Sequence, residues 1–334
     1  MAGQASRAQT PGARPWARRS RRAKSARHAE TAEDDKAAAS GWLAALAKRA
    51  TSAFILIPVV IALVWFGGWI AFAGALLTLL VAVWELHDMF ANKGWHPPII
   101  FSLALSIDFL VVAILWNNGV SLLALTAAVL VGICALLTVS FGWLILTRAN
   151  FEAALLDWAL AMATPFYLGL PLSFFLLLRG NTPGTGTPGF AWLLALFFMV
   201  WANDTFALLT GHYLGRGGKH KLAPRVSPAK TWEGFFGGLV FTVIAALVFL
   251  IVIPNVFHLA ISVAWYNAAA IGVLVAVAAT IGDLAESLIK RGTNVKDSGK
   301  LIPGHGGILD RIDSLLFAVL VVFFYAAFLH GIPL

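Results

Sequence analysis

Charged side chains are scarce in this sequence. Only 12% of the 334 residues are Asp, Glu, Lys or Arg, whereas 60% are apolar. Soluble domains carry about a quarter charged residues. The composition therefore excludes an ordinary soluble protein and indicates an all-α, polytopic integral membrane protein, because a chain in lipid must satisfy its own backbone hydrogen bonds.

Cysteine is nearly absent as well. Cys134 is the only one, and it lies in an apolar run. One cysteine excludes an intrachain disulfide and a cysteine-based metal cluster.

The net charge of +8 is not spread over the chain. Eleven of the 24 Lys and Arg residues precede residue 50. Residues 1–40 contain hardly any large apolar side chain, so we expect a disordered, basic cytoplasmic tail that meets anionic lipid. Most other cations lie in two loops between apolar segments, which indicates membrane orientation and not nucleic-acid binding.

Residues 41–334 are predicted to form a single transmembrane domain. At about twenty residues per span, apolar runs predict about nine helices near 51–66, 69–90, 98–116, 121–146, 153–178, 189–211, 233–254, 265–289 and 312–331. The fifth contains two prolines and a glycine, so it is either one broken helix or two short ones. With a cytoplasmic N-terminus, Arg179 is the only Lys or Arg on the opposite side.

Residues 283–313 combine carboxylates, cations and a glycine-rich turn between two apolar runs. A helix would place four polar side chains on one face: Asp283, Glu286, Ser287 and Lys290. Asp310 and Asp313 share the first turn of the next helix, and a folded loop brings Asp283 to both. Oxygen ligands without cysteine favour Mg²⁺. The alternative is that neighbouring cations merely neutralise these acids.

Residues 203–238 form a second polar segment. Its glycines alternate with Arg216, Lys219 and Lys221, and a Ser-Pro-Ala-Lys-Thr run from Ser227 to Thr231 leads into an apolar helix. Backbone N–H groups and cations at a helix N-terminus favour phosphate. The alternative is that the glycines form a turn and the cations orient the protein.

Both segments resemble the phosphatidate cytidylyltransferases, also called CDP-diacylglycerol synthases. The first block matches at Ser287, Lys290, Arg291, Lys296, Asp297, Pro303, His305, Gly306, Gly307, Asp310, Arg311 and Asp313. The second matches at Asp204, Gly215, Arg216, Gly218, Lys219, Ser227, Pro228, Lys230, Thr231, Glu233 and Gly234. The catalytic part is therefore expected at about 200–334, while the first half matches only in hydropathy.

The resemblance implies transfer of the cytidylyl group from CTP to phosphatidate, with CDP-diacylglycerol and pyrophosphate as products. It implies Mg²⁺ held by Asp283, Asp310 and Asp313, and the family is associated with a second, monovalent cation such as K⁺. Phosphate contacts are expected from Lys290, Lys230, Arg216, Lys219 and Arg311, with Ser287, Ser227 and Thr231 beside them. The expected location is the bacterial inner membrane, with the active site facing the cytoplasm.

Two other functions remain open at this point. A CTP-dependent lipid kinase would transfer the γ-phosphate and would need a base for its alcohol substrate. A secondary transporter would use Asp204 and Asp283 as ion-coupling acids. A homodimer also stays open. No Asp-Gly-x-x-Ala-Arg run typical of CDP-alcohol phosphotransferases is present.

Overall fold

A computed structural model describes residues 58–184, 186–215, 220–257, 261, 263–299 and 306–330. The expected N-terminal tail and the first seven residues of the first expected span, 51–57, lie outside these residues. The described helices are α1 (58–66), α2 (Gly68–Asn92), α3 (Ile99–Asn117), α4 (Leu122–Thr147), α5 (Phe151–Arg179), α6 (Pro188–Leu214), α7 (Trp232–Val256), α8 (Trp265–Gly292) and α9 (Leu309–His330).

Seven of these helices, α2 to α8, are long and apolar enough to cross a membrane, counting only the described part of the chain. The protein is therefore an integral membrane protein of mainly helical structure. The expected total of nine spans stays a prediction. Only nine residues of α1 are described, and α9 carries three charged side chains in its first turns.

Helix α5 resolves the question about the fifth span, because it is one interrupted helix. Phe151–Thr164 and Leu170–Arg179 are joined by a π-helical turn, Pro165–Gly169. Pro165 has no N–H to donate, which favours such a break. Gly169 lies so close to α3 that an added Cβ would come within 2.6 Å of the Ser106 Cα.

Small residues allow the helices of the C-terminal half to approach closely. A Cβ on Gly234 of α7 would meet the Ala207 carbonyl of α6 at 2.7 Å. On Gly272 of α8 it would meet the Val243 Cα of α7 at 2.8 Å. Gly282 of α8 lies against the backbone of Asp313 in α9. Close contacts at small residues are typical of helix packing in membranes, and here they fix the ends of the helices that present the polar segments.

Helix α9 joins two apolar cores. Its residues Ala318, Val319 and Val322 pack with α6, α7 and α8. Leu309 and Leu316 pack with α2, α3 and α5. The N-terminal half of the chain therefore directly supports the helix that carries Asp310 and Asp313.

A short antiparallel hairpin stands between α6 and α7, and no strand was expected there. Strand β1 (Lys221–Ala223) pairs with β2 (Ser227–Thr231), with Lys221 opposite Thr231 and Ala223 opposite Ser227. Thr231 ends the hairpin and is the N-cap residue of α7, so the hairpin places Lys230 beside a helix N-terminus.

Candidate active site

Asp310 is held by four hydrogen-bond donors at the start of α9. Its Oδ1 accepts from the Lys290 ammonium at 2.7 Å. Its Oδ2 accepts from the backbone N–H and the hydroxyl of Ser298, at 3.1 and 2.9 Å, and from the Gly307 N–H at 2.8 Å. A carboxylate at a helix N-terminus is electrostatically favoured. Asp310 therefore anchors the turn that begins α9.

Lys290 bridges two acids near the end of α8. Besides Asp310 it pairs with Glu286, one helical turn earlier. Glu286 is 1% exposed, and its second oxygen has no hydrogen-bond partner among the residues that the structure describes. The predicted polar face of α8 is thus formed, and Lys290 neutralises acids on two helices, the buried Glu286 and the partly buried Asp310.

Asp283 connects the two polar segments of the sequence. Its Oδ2 lies 2.5 Å from the Lys230 Nζ at the end of β2. The Ser287 hydroxyl donates to its other oxygen at 3.5 Å. The Arg291 Nε also donates to the Val226 carbonyl at 3.4 Å. Segments more than fifty residues apart in sequence therefore form one polar surface.

Asp313 lies in a second group of acids. It is buried, and its Oδ1 accepts from the next backbone N–H, that of Ser314, at 2.6 Å. Asp283, Asp204 and Lys290 all act on it electrostatically. Asp204 in turn interacts with Asp283 and Lys230. The three aspartates on α6, α8 and α9 are therefore mutual electrostatic neighbours.

The remaining predicted residues differ in their surroundings. The Thr231 hydroxyl is buried and accepts from the Gly234 N–H at 3.1 Å, so it caps α7. Ser227 begins β2. Arg311 is exposed on the first turn of α9 and interacts electrostatically with Asp204. Arg216 and Lys219 lie outside the described residues, as does His305.

Sequence reasoning assigned no role to Glu85 of α2. Its side chain is fully buried and reaches the start of α9, where its oxygens accept from the N–H groups of Ile308 and Leu309. An acid within an apolar segment is costly and usually functional. That rule, applied to the first half of the chain, could have found it.

Comparison with known proteins identifies the chain. Residues 47–329 match the model of the cytidylyltransferase family. This protein is a member of that family. A phosphatidate cytidylyltransferase from Staphylococcus haemolyticus is 32% identical over 271 residues, covering 81% of this chain and 95% of the relative. One from Brucella abortus is 39% identical over 162 residues, covering 48% of this chain and 55% of the relative.

The fit of this cytidylyltransferase to a metal ion can be judged from its donor set. Within the described ranges, no group of three or more His, Cys, Asp or Glu side chains is arranged to hold a metal ion. Asp310 is already engaged by Lys290, Ser298 and Gly307. Asp204, Asp283 and Asp313 offer carboxylate oxygens, which are the ligands that Mg²⁺ prefers. The donor chemistry fits Mg²⁺, and the metal assignment stays a prediction.

Proposed function

We propose that this protein transfers the cytidylyl group of CTP to phosphatidate, producing CDP-diacylglycerol and pyrophosphate for phospholipid synthesis. The observation that carries the proposal is the Lys230 to Asp283 contact, which joins the two polar segments into one surface. Family membership and relatives named phosphatidate cytidylyltransferase give the same reaction class.

The reaction requires little acid-base chemistry from the protein. A phosphate oxygen of phosphatidate attacks the α-phosphorus of CTP, and the bond from that phosphorus to the bridging oxygen of the β-phosphate breaks. Pyrophosphate leaves with that electron pair. A phosphate monoester is mostly deprotonated near neutral pH, so no general base is needed. The main obstacle is repulsion between two anions, and positioning with charge neutralisation overcomes it.

Cations of the described surface supply that neutralisation. Lys230 lies at the hairpin end and is about a quarter exposed, and among the described residues Asp283 is its ion-pair partner. It can therefore turn to a phosphate when substrate enters. Arg311 stands exposed on the first turn of α9 and takes a second phosphate contact. Lys290 is enclosed by two acids, so its role is to hold the start of α9 in place.

Carboxylates of two helices, α8 and α9, would hold Mg²⁺ beside the nucleotide. The electrostatic neighbours Asp283 and Asp313 are the proposed ligands, with Asp204 facing them. Mg²⁺ bound there would supply positive charge against the triphosphate. Asp310 takes the positioning role, because its oxygens already accept four hydrogen bonds. The monovalent cation stays a prediction.

The membrane setting suits a lipid phosphate and a soluble nucleotide. Acyl chains remain in lipid beside the apolar helices, while the headgroup meets CTP at the interface. The polar segments lie at the helix ends opposite Arg179, and positive charge near helix ends favours the cytoplasmic side. We therefore place the active site at the cytoplasmic face of the bacterial inner membrane.

One assay tests the proposal against both alternatives. Purified protein in lipid nanodiscs is given phosphatidate and CTP labelled at either the α- or the γ-phosphorus, with and without Mg²⁺. We expect label in the lipid only from α-labelled CTP. Label from γ-labelled CTP would instead identify a lipid kinase. Absence of lipid labelling from both, together with ion-driven counterflow in liposomes, would favour the transporter and contradict the proposal.

A further inference from the structure

Glu85 is a buried acid that lies outside both polar blocks. It sits on α2, two turns before the helix ends, and its side chain is inaccessible to solvent. Its Oε1 accepts from the Ile308 N–H at 3.0 Å. Its Oε2 accepts from the Leu309 N–H at 2.9 Å and from the Ser298 hydroxyl at 3.2 Å. Both oxygens of the carboxylate are therefore used.

The partners of Glu85 flank one loop. Ser298 and Gly299 follow α8, and Gly307 precedes α9. A Cβ added to Gly299 would meet the Glu85 carboxylate, and one added to Gly307 would meet both that carboxylate and the Ser298 hydroxyl. Glycine at both positions lets the backbone close around the carboxylate. The backbone at Gly299 and at Gly307 thus packs directly against the Glu85 carboxylate.

Glu85 and Asp310 act on the same turn. Both accept from the Ser298 hydroxyl, and each also accepts from backbone N–H groups at the start of α9: Asp310 from Gly307, and Glu85 from Ile308 and Leu309. The N–H groups of Ile308 and Leu309 are among those that the start of a helix leaves without partners inside the helix. Two carboxylates therefore fix where α9 begins.

We infer that Glu85 is a positioning residue for the transfer reaction: through the first N–H groups of α9 it sets where Asp310 and Asp313 stand. This inference rests on the proposed function. It also assigns the N-terminal half a part in catalysis, because α2 contacts the start of α9 through this carboxylate and through the apolar core around Leu309 and Leu316.

Packing alone does not account for a carboxylate here. Burying a charge costs free energy unless hydrogen bonds compensate it. Glutamine has nearly the same shape, but it would replace one acceptor oxygen with an NH₂ group that faces a donor. Glu85→Gln therefore tests the acceptor role with little change in volume, and Glu85→Asp keeps the charge on a shorter side chain.

Hydrogen exchange tests the contact between Glu85 and the start of α9 independently of an activity assay. In Glu85→Gln, we expect the backbone amides of residues 308–309 to exchange about tenfold faster or more, because hydrogen bonds to charged groups are stronger than those between neutral groups. The exchange is followed by mass spectrometry on peptides spanning residues 306–315. Glu85→Asp should fall between this variant and wild type. The matched control is Asp88→Asn, which removes an exposed carboxylate from the same helix and should exchange as wild type.

Kinetics then separate positioning from a general loss of stability. Per folded molecule, Glu85→Gln should lower kcat about tenfold to a hundredfold with little change in the KM for phosphatidate, and Glu85→Asp should recover part of kcat. Unchanged exchange in Glu85→Gln overturns the inference, as does faster exchange with unaltered kcat. If Glu85→Gln does not fold, Glu85→Asp decides: exchange and kcat equal to wild type overturn the inference. Lack of cytidylyl transfer by wild-type protein overturns the proposed function instead.

Discussion

Two aspartates three residues apart on α9 should respond oppositely to the same substitution. Asp310→Asn removes the charge opposite Lys290 and places an NH₂ group among donors. Lys290 keeps Glu286 as a partner, so the unfolding free energy falls less than it would if Lys290 were left as an unpaired buried charge. Three weakened hydrogen bonds and one broken ion pair together cost about 2–4 kcal/mol of unfolding free energy.

Asp313→Asn should leave stability unchanged or raise it. Its described hydrogen bond, from the Ser314 N–H, needs only one oxygen, which asparagine retains. Its charge stands near those of Asp204 and Asp283, so neutralising it relieves repulsion. Turnover should nevertheless be abolished, because the proposed site needs this charge for Mg²⁺.

Both variants can be measured side by side in detergent. Thermal unfolding should show a midpoint several degrees lower for Asp310→Asn and no decrease for Asp313→Asn. Turnover with α-labelled CTP should be lost in Asp313→Asn at saturating Mg²⁺. Asp88→Asn serves as the carboxylate-to-amide control. Wild-type stability of Asp310→Asn would refute the anchoring role, and wild-type turnover of Asp313→Asn would refute its role as a ligand.

Three further predictions concern other contacts. Lys230→Met should lower kcat/KM for CTP about a hundredfold or more, since loss of one hydrogen-bond donor costs that much in comparable sites. Lys230→Arg should recover part of this kcat/KM, and an unchanged kcat/KM in Lys230→Met would contradict the phosphate contact. Thr231→Val should lower the unfolding free energy by about 1 kcal/mol through loss of the α7 cap, whereas Thr231→Ser should not; equal unfolding midpoints would contradict the capping role. Arg179→Met should lower the unfolding free energy by at least about 3 kcal/mol, because the Arg179 guanidinium is buried and donates to the carbonyls of residues 64, 65 and 182. Turnover per folded molecule should be unchanged in Arg179→Met, as in Lys93→Ala, and a fall in turnover would show that this end of the protein reaches the site.

Membrane class, helix positions and the two polar segments could be predicted from sequence because each is a local property. Apolar run length indicates a span wherever it occurs. The polar face of α8 follows from helical periodicity, and Glu286 and Lys290 do pair along it. The expected contact between the two polar segments also follows from the predicted topology, which puts both segments at helix ends on the same side of the membrane.

Partner choice within the site could not be predicted in the same way. Lys230 pairs with Asp283, and Lys290 with Asp310, although either cation was available to either acid by sequence. The choice depends on how closely α8 and α9 approach at Gly282, and on a hairpin that has no apolar periodicity to reveal it.

The amino-acid sequence alone determined that this chain enters a membrane and which residues could bind phosphates, because hydropathy and motif spacing are properties of short stretches of sequence. Only the tertiary structure decided that Asp310 anchors a helix start, that Thr231 caps α7, and that Glu85 reaches α9 from more than two hundred residues away. Hydrogen-bond partners across such distances are selected by the packing of whole helices, and no local pattern records that packing.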